Sequence, residues 1–159
     1  MSLEFVKQSS SADYWKLNAT VRINTVNCVG VMGKGIALEF KQRHQSMFLE
    51  YLDRCKLGML EPGGIFQYQA YHYWVINVAT KHHWKHPSKL EWVESGLERI
   101  RDVLKLRESR ALDVVAMPAL GCGNGGLDWS VVQQLMILKL SDLKSKVVVF
   151  EPMEISRLF

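Results

Sequence analysis

The chain has 159 residues, of which 48% are hydrophobic and 23% charged, and this composition predicts one soluble globular domain with a sizeable core. No apolar stretch approaches the roughly 20 residues that span a bilayer, and the N-terminus lacks the form of a signal peptide, so a cytoplasmic protein is expected. The net charge of +4 permits a phosphate-rich partner, while three separated cysteines argue against a disulfide framework or a Cys-x-x-Cys metal site.

Strand-like and helix-like segments alternate along the first half of the chain. Residues 21–26 are predicted to form a buried strand. Apolar residues at helical spacing over 36–55 predict a helix that Gly58 ends. Two β-rich runs follow over 65–71 and 73–79.

The second half continues the alternation. Ser88-Lys89-Leu90-Glu91 matches a capping box and predicts the start of a helix with Val93, Leu97, Ile100 and Leu104 on its inner face. A strand over 113–117, a helix that Asp128 caps and that runs to Leu140, and a last strand over 147–150 complete the pattern. The order predicts an α/β fold, a three-layer α/β/α sandwich with a mixed, largely parallel central sheet. In such sheets ligands bind beyond the carboxyl ends of the strands.

Two glycine-rich segments follow predicted strands. The first is "NTVNCVGVMGKGIA" over 24–37, and the second is "PALGCGNGGLDW" over 118–129. The first matches neither a Walker loop nor a Gly-x-Gly-x-x-Gly motif. A tight strand-to-helix turn would explain either segment alone. Together, since glycine permits close backbone approach and helix N-termini attract phosphate, they indicate a diphosphate held between them.

A lysine follows a third predicted strand, within "ATKHHWKHPS" over 79–88. Lys81 stands two residues past the strand end, although a solvated lysine in a basic loop remains an alternative. His82 and His86 have the spacing of one helical turn, but Pro87 disfavours a helix there. Because no Asp, Glu or Cys lies within the run, no metal site is predicted.

At this point the residues carry a family resemblance. The segments "NTVNCVGVMGKGIALEFK", "NVATKHHWKHPS", "PALGCGNGGLDW" and "VFEP" resemble the macrodomain superfamily. Within it they are most similar to the macrodomains of DNA ADP-ribosyl glycohydrolase antitoxins (the DarG type) and of related terminal ADP-ribose glycohydrolases. The similarity runs from about Ala12 to Pro152. It implies that residues 1–159 form a single macrodomain that binds ADP-ribose and needs no cofactor.

The resemblance also implies the ligand-binding residues. Asp13 would accept a hydrogen bond from the adenine amino group, with Ala12 in place of the family's glycine, and a turn-capping role is the alternative. Asn27 would contact the distal ribose, because its amide offers both a donor and an acceptor. Phe150 matches an aromatic position near adenine, with core packing as the alternative. Cys122 is expected to support its loop rather than act as a nucleophile. The full set implied to bind ADP-ribose is Asp13, Tyr14, Asn27, Gly33, Lys34, Gly35, Ile36, Thr80, Pro118, Leu120, Gly121, Cys122, Gly123, Asn124, Gly125, Gly126, Leu127 and Phe150.

Lys81 matches the catalytic lysine of the glycohydrolases resembled. Its amine would attack or activate the anomeric carbon of ADP-ribose, which requires a readily deprotonated amine; burial or the nearby charge of Lys34 would favour that form. Gly125 stands where some relatives place an aspartate, so the proton donor is unassigned.

The neighbours of Lys81 are implied to contact substrate. Both His83 and Trp84 match family positions, and Trp84 could stack on a base or simply pack. A DNA backbone could be held by Lys85, Lys89 and Arg43, with surface solubility as the alternative.

The function that the resemblance implies is hydrolysis. The enzyme would remove ADP-ribose from nucleic acid, above all from thymidine in single-stranded DNA, and so act as the antitoxin that reverses an ADP-ribosyltransferase toxin. The alternatives are removal of ADP-ribose from glutamate in protein, hydrolysis of ADP-ribose phosphoesters, or a binding module without turnover.

Overall fold

The computed structural model describes residues 2–153 and contains six strands and five helices within that range. In chain order these are β1 (Leu3–Val6), α1 (Ala12–Lys16), β2 (Val21–Val26), α2 (Gly35–Arg43), α3 (Gln45–Lys56), β3 (Ile65–Gln69), β4 (Trp74–Ala79), α4 (Leu90–Glu108), β5 (Val114–Pro118), α5 (Trp129–Leu140) and β6 (Lys146–Phe150). The residues from 154 to the end lie outside the described range.

The strands form one mixed sheet in the order β1-β6-β5-β2-β4-β3. Five of them run parallel, and only β3, at the edge, pairs antiparallel with β4. The predicted fold class is therefore confirmed. Because β2, β4, β5 and β6 share one direction, everything that follows their carboxyl ends meets at the same edge of the sheet.

The two faces of the sheet carry separate hydrophobic cores, as the period of two in a strand requires. In β6, Val147 and Val149 join a core built with α4 and α5. The alternate residues Val148 and Phe150 join a second core built with α1, α2 and α3. The sheet is therefore the middle layer of the predicted sandwich.

The prediction of one helix over 36–55 is wrong, because the chain forms two helices that meet at His44. The backbone of His44 leaves the helical region at φ −136° and ψ 73°. Its imidazole Nε2 lies 2.7 Å from the hydroxyl of Tyr73. This side-chain contact across the core accompanies a break that apolar periodicity alone does not reveal.

The predicted capping box at Ser88 is also wrong. The N-cap of α4 is Lys89, and among the described residues no side chain caps that helix. Ser88 instead donates its backbone N–H to the carbonyl of Gly125 at 3.0 Å, which directs the residue against the second glycine loop. The inner face predicted for α4 is confirmed, since Val93, Leu97, Ile100 and Leu104 are buried.

Two short elements near the N-terminus, β1 and α1, have no counterpart in the predictions, and four or five residues are too few to show a period. Within residues 2–153, no helix has the length and apolarity that crossing a membrane requires.

Candidate functional site

Three predicted segments meet at the carboxyl edge of the sheet. We call them the first loop (residues 27–34, after β2), the lysine segment (residues 80–89, after β4) and the second loop (residues 119–128, after β5). β2 lies between β4 and β5 in the sheet, so the first loop is flanked by the other two segments. The sequence prediction that these segments lie together is confirmed.

Hydrogen bonds join the lysine segment to the first loop. The backbone N–H of Thr80 donates to the carbonyl of Val26 at 3.1 Å, and that of Cys28 donates to the carbonyl of His82 at 2.9 Å. The thiol of Cys28 also lies 3.5 Å from the carbonyl oxygen of Lys81. The backbone around Lys81 is therefore positioned by the first loop on one side.

The lysine segment meets the second loop through Ser88 and Gly125. A Cβ added at Gly125 would overlap the carbonyl oxygen of Gly121 and the hydroxyl of Ser88 and lie 2.8 Å from the Gly121 carbonyl carbon. Ordinary contacts begin near 3.4 Å, so this backbone leaves no room for any side chain at position 125. This close approach is a physical reason why the aspartate of some relatives has no equivalent here.

The second loop is built on the conformational freedom of Gly121. Its φ of +74° is one that side-chain-bearing residues rarely adopt. Its carbonyl accepts the N–H of Leu127 at 2.9 Å and closes the loop. Gly123, Asn124 and Gly126 are exposed on the loop. Leu120 is fully buried, so a ligand contact from it would be limited to the backbone, whereas Pro118, which ends β5, is half-buried.

The first loop leads into α2, which begins at Gly35. Among residues 2–153 no side chain caps this helix start, and Gly33, Lys34 and Gly35 are exposed while Ile36 is half-buried. The second loop lies close by, since a Cβ on Gly35 would be 3.9 Å from the amide nitrogen of Asn124. An uncapped helix start beside a glycine loop is an arrangement that suits phosphate oxygens.

Lys81 is partly buried beside the first loop. Burial lowers the pKa of its amine, and the positive charge of Lys34 lowers it further. The predicted direction and the predicted neighbour are both confirmed. The amine donates one hydrogen bond, to the carbonyl of Trp84 at 3.2 Å. A lysine of this kind loses its proton more readily than a fully solvated one.

An aromatic and basic surface adjoins Lys81. The ring of Trp84 is 44% exposed and stacks on His83, with centroids 5.5 Å apart and planes 27° apart. The ammonium of Lys85 lies 5.1 Å from the Trp84 ring centroid. His83 accepts the backbone N–H of Lys85 at Nδ1, and its pKa is lowered, first by desolvation and then by the charges of neighbouring residues. Trp84 is therefore not a core residue, and stacking of its ring on a substrate base remains a prediction.

Three residues of the implied ADP-ribose-binding set, Asp13, Tyr14 and Phe150, have different environments. Asp13 accepts the N–H of Ser9 at 2.9 Å, so it does make the turn contact that was its alternative role, and this bond lowers its pKa. Tyr14 and Phe150 are buried and pack edge to face, with ring centroids 5.5 Å apart. Their contacts with ADP-ribose remain predictions, and the hydroxyl of Tyr14 already donates to the carbonyl of Ile23.

Cys122 has the supporting role that was predicted. Its side chain packs against the core, and burial raises the pKa of its thiol to about 12. At neutral pH it is a protonated thiol and a poor nucleophile. Within residues 2–153 there is also no cluster of three or more His, Cys, Asp or Glu side chains placed to hold a metal ion.

Two residues make contacts at the site that the sequence did not predict. Tyr51 on α3 is buried and donates its hydroxyl to Asn27. Ser88 places a buried hydroxyl, without a hydrogen-bond partner among the described residues, against Gly125. Helical periodicity assigns Tyr51 to the core, and a Ser three residues before Glu91 matches a cap, so neither pattern signals these contacts.

Comparisons with known proteins agree with this geometry. A family model described as Macro domain matches residues 23–136. A curated relative from Mycobacterium tuberculosis, named DNA ADP-ribosyl glycohydrolase, is 40% identical over 146 residues, which cover 89% of this chain and 41% of the relative. The chain thus spans about two fifths of the length of the curated relatives that it matches.

Solved structures are similar over almost the whole chain. The macrodomain of Mycobacterium tuberculosis DarG is 38% identical with a TM-score of 0.81, covering 92% of this chain and 98% of that one. Thermosipho africanus DarTG, solved in complex with ADP-ribose, is 33% identical with a TM-score of 0.81, covering 95% of this chain and 42% of that one. From its sheet order, its paired glycine loops and these matches, the chain belongs to the macro domain family.

Proposed function

We propose that the chain is an ADP-ribosyl glycohydrolase that removes ADP-ribose from modified nucleic acid. The single observation that carries this proposal is Lys81, an amine of lowered pKa beside the first loop, in a segment that also contacts the second loop at the same edge of the sheet. The names of the relatives support the same reaction class, because they are DNA ADP-ribosyl glycohydrolases.

In this proposal ADP-ribose lies across the edge of the sheet. Its diphosphate takes backbone N–H groups of the second loop, over 121–126, and of the α2 start. Its distal ribose lies toward Asn27 and Lys81, and its adenine toward Asp13. The deprotonated amine of Lys81 attacks or activates the anomeric carbon, and the bond from that carbon to the base breaks. Water supplies a hydroxyl group to the carbon and a proton to the base, so the products are ADP-ribose and DNA with its unmodified base.

The substrate we propose is thymidine in single-stranded DNA, and the biological role is reversal of an ADP-ribosyltransferase toxin in the cytoplasm. Support comes from Gly125, where the close approach to Gly121 excludes the carboxylate of some relatives. Further support comes from Thermosipho africanus, in which one relative is named as a fusion of a DNA ADP-ribosyl transferase with the glycohydrolase.

A substrate panel tests this function. The wild-type chain is incubated in parallel with ADP-ribosylated single-stranded DNA, glutamyl-ADP-ribosylated protein and an ADP-ribose phosphoester, and released ADP-ribose is measured. We expect the DNA substrate to be hydrolysed fastest. Faster release from protein or phosphoester would replace the proposed substrate, and tight ADP-ribose binding with no release from any substrate would identify a binding module.

A further inference from the structure

The side chain of Asn27 is bound within its own loop. Its amide nitrogen donates to the carbonyl of Val31 at 2.7 Å, and its amide oxygen accepts the backbone N–H groups of Val29 and Val31 at 3.1 and 3.4 Å. The side chain of Asn27 therefore closes residues 27–31 of the first loop. The position of Asn27 after a strand does not predict these contacts.

Tyr51 adds a contact from outside the loop. Its hydroxyl lies 2.8 Å from both the backbone carbonyl and the side-chain oxygen of Asn27 and donates to them. Tyr51 is fully buried on α3, and burial raises the pKa of its hydroxyl, so the donor proton is retained at physiological pH. One hydroxyl thus connects a core helix to the first loop.

These contacts limit what Asn27 can offer a ligand. An amide has two N–H groups and an oxygen with two lone pairs. Three donors already surround the oxygen, and one N–H is used by Val31. One N–H remains, so Asn27 can act toward a ribose hydroxyl as a donor and not, as expected from its amide alone, as both donor and acceptor.

The same loop also sets the position of Lys81. The residue after Asn27 is Cys28, whose N–H donates to the carbonyl of His82 and whose thiol approaches the carbonyl of Lys81. A continuous run of hydrogen bonds therefore leads from the Tyr51 hydroxyl through the first loop to the backbone that carries the amine.

We propose that Tyr51 is a positioning residue, which acts through Asn27 to hold the first loop against the distal ribose of ADP-ribose and against Lys81. This inference rests on the proposed function for the ligand and the site. It adds to that function a core residue that contributes to recognition of the distal ribose.

The test compares Tyr51→Phe with Tyr73→Phe. Tyr73 is a suitable control because it is half-buried, its hydroxyl lies 2.7 Å from Nε2 of His44, and it precedes β4 at the end opposite the lysine segment. Calorimetry gives the affinities for ADP-ribose and for ADP, which lacks the distal ribose. Melting temperature checks folding, and release of ADP-ribose from modified single-stranded DNA gives kcat.

We expect Tyr51→Phe to bind ADP-ribose about fivefold more weakly, the effect of one hydrogen bond, and ADP within twofold of the wild type. Its kcat falls by about tenfold or more, since small misplacements of reacting groups are costly. Tyr73→Phe changes neither. Equal weakening of ADP and ADP-ribose, or no difference between the two variants, overturns the inference.

The inference and the proposed function can fail separately. If the wild-type chain releases no ADP-ribose from any substrate, the hydrolase function is wrong. The positioning role is then decided by the affinities alone: selective loss of ADP-ribose binding in Tyr51→Phe supports it, and unchanged ADP-ribose binding refutes it.

Discussion

Substitution of Gly125 tests the geometry of the second loop directly. Alanine at this position would bring Cβ to 2.8 Å from the carbonyl carbon of Gly121 and into overlap with the Ser88 hydroxyl. Because ordinary contact begins near 3.4 Å, the two backbone segments must separate by more than half an ångström. Overpacking of this kind costs about 1–3 kcal/mol.

If the loop moves to relieve that strain, it loses its geometry for the diphosphate. The same free energy corresponds to ADP-ribose binding that is about 5- to 150-fold weaker. Calorimetry on Gly125→Ala measures this directly. Gly123→Ala is the matched control in the same loop, because a Cβ there meets no atom of the described chain within 4 Å.

Gly125→Asp extends the test to catalysis. If position 125 had room for the aspartate that some relatives carry, introducing it would raise the rate of ADP-ribose release. We expect it instead to weaken binding as Gly125→Ala does and to give no gain in rate. Binding by Gly125→Ala as tight as that of Gly123→Ala would refute the reasoning that this close approach shapes the site.

Three further outcomes are expected from single substitutions. Trp84→Leu should raise KM for a modified oligonucleotide by about fivefold or more, since stacking on a base contributes about 1–3 kcal/mol, and should leave KM for a modified nucleoside unchanged. The control is Tyr71→Leu, which removes a 95% exposed aromatic ring before the opposite end of β4 and should change neither KM. Lys34→Gln removes a charge that lowers the pKa of Lys81, so the rise of activity with pH should move to higher pH, whereas Lys34→Arg should keep the wild-type profile. Asp128→Ala removes the hydrogen bond from the N–H of Ser130 that caps α5. It should lower the free energy of unfolding by about 1 kcal/mol and the melting temperature by about 2–4 °C, whereas Asp128→Ser should retain most of the stability.

The position of the candidate site in the fold was predictable because it depends mainly on the direction of the parallel strands. Parallel strands end at one edge, so segments after β2, β4 and β5 had to meet, and the pKa direction of Lys81 followed from burial and a nearby cation. These outcomes depend on the order of the strands along the chain and on the type of residue that follows each strand, and both can be read from the sequence.

What could not be predicted depends on single contacts across long stretches of chain. The helix break at His44 accompanies a bond to Tyr73, and the departure of Ser88 from its expected cap follows from its contact with Gly125. Tyr51 matches the apolar face of α3 by its spacing, and nothing in that spacing indicates that its hydroxyl reaches Asn27, 24 residues earlier. Periodicity describes which face is buried, not which polar atoms meet there.

The central claim is that Lys81 acts on the distal ribose of a bound ADP-ribosyl group. The most direct measurement is the rate of ADP-ribose release from modified single-stranded DNA by Lys81→Ala, with ADP-ribose affinity determined on the same preparation. We predict a rate lower by about 10²-fold or more, with binding retained because the two glycine loops are intact. Release as fast as that of the wild-type chain would contradict the claim.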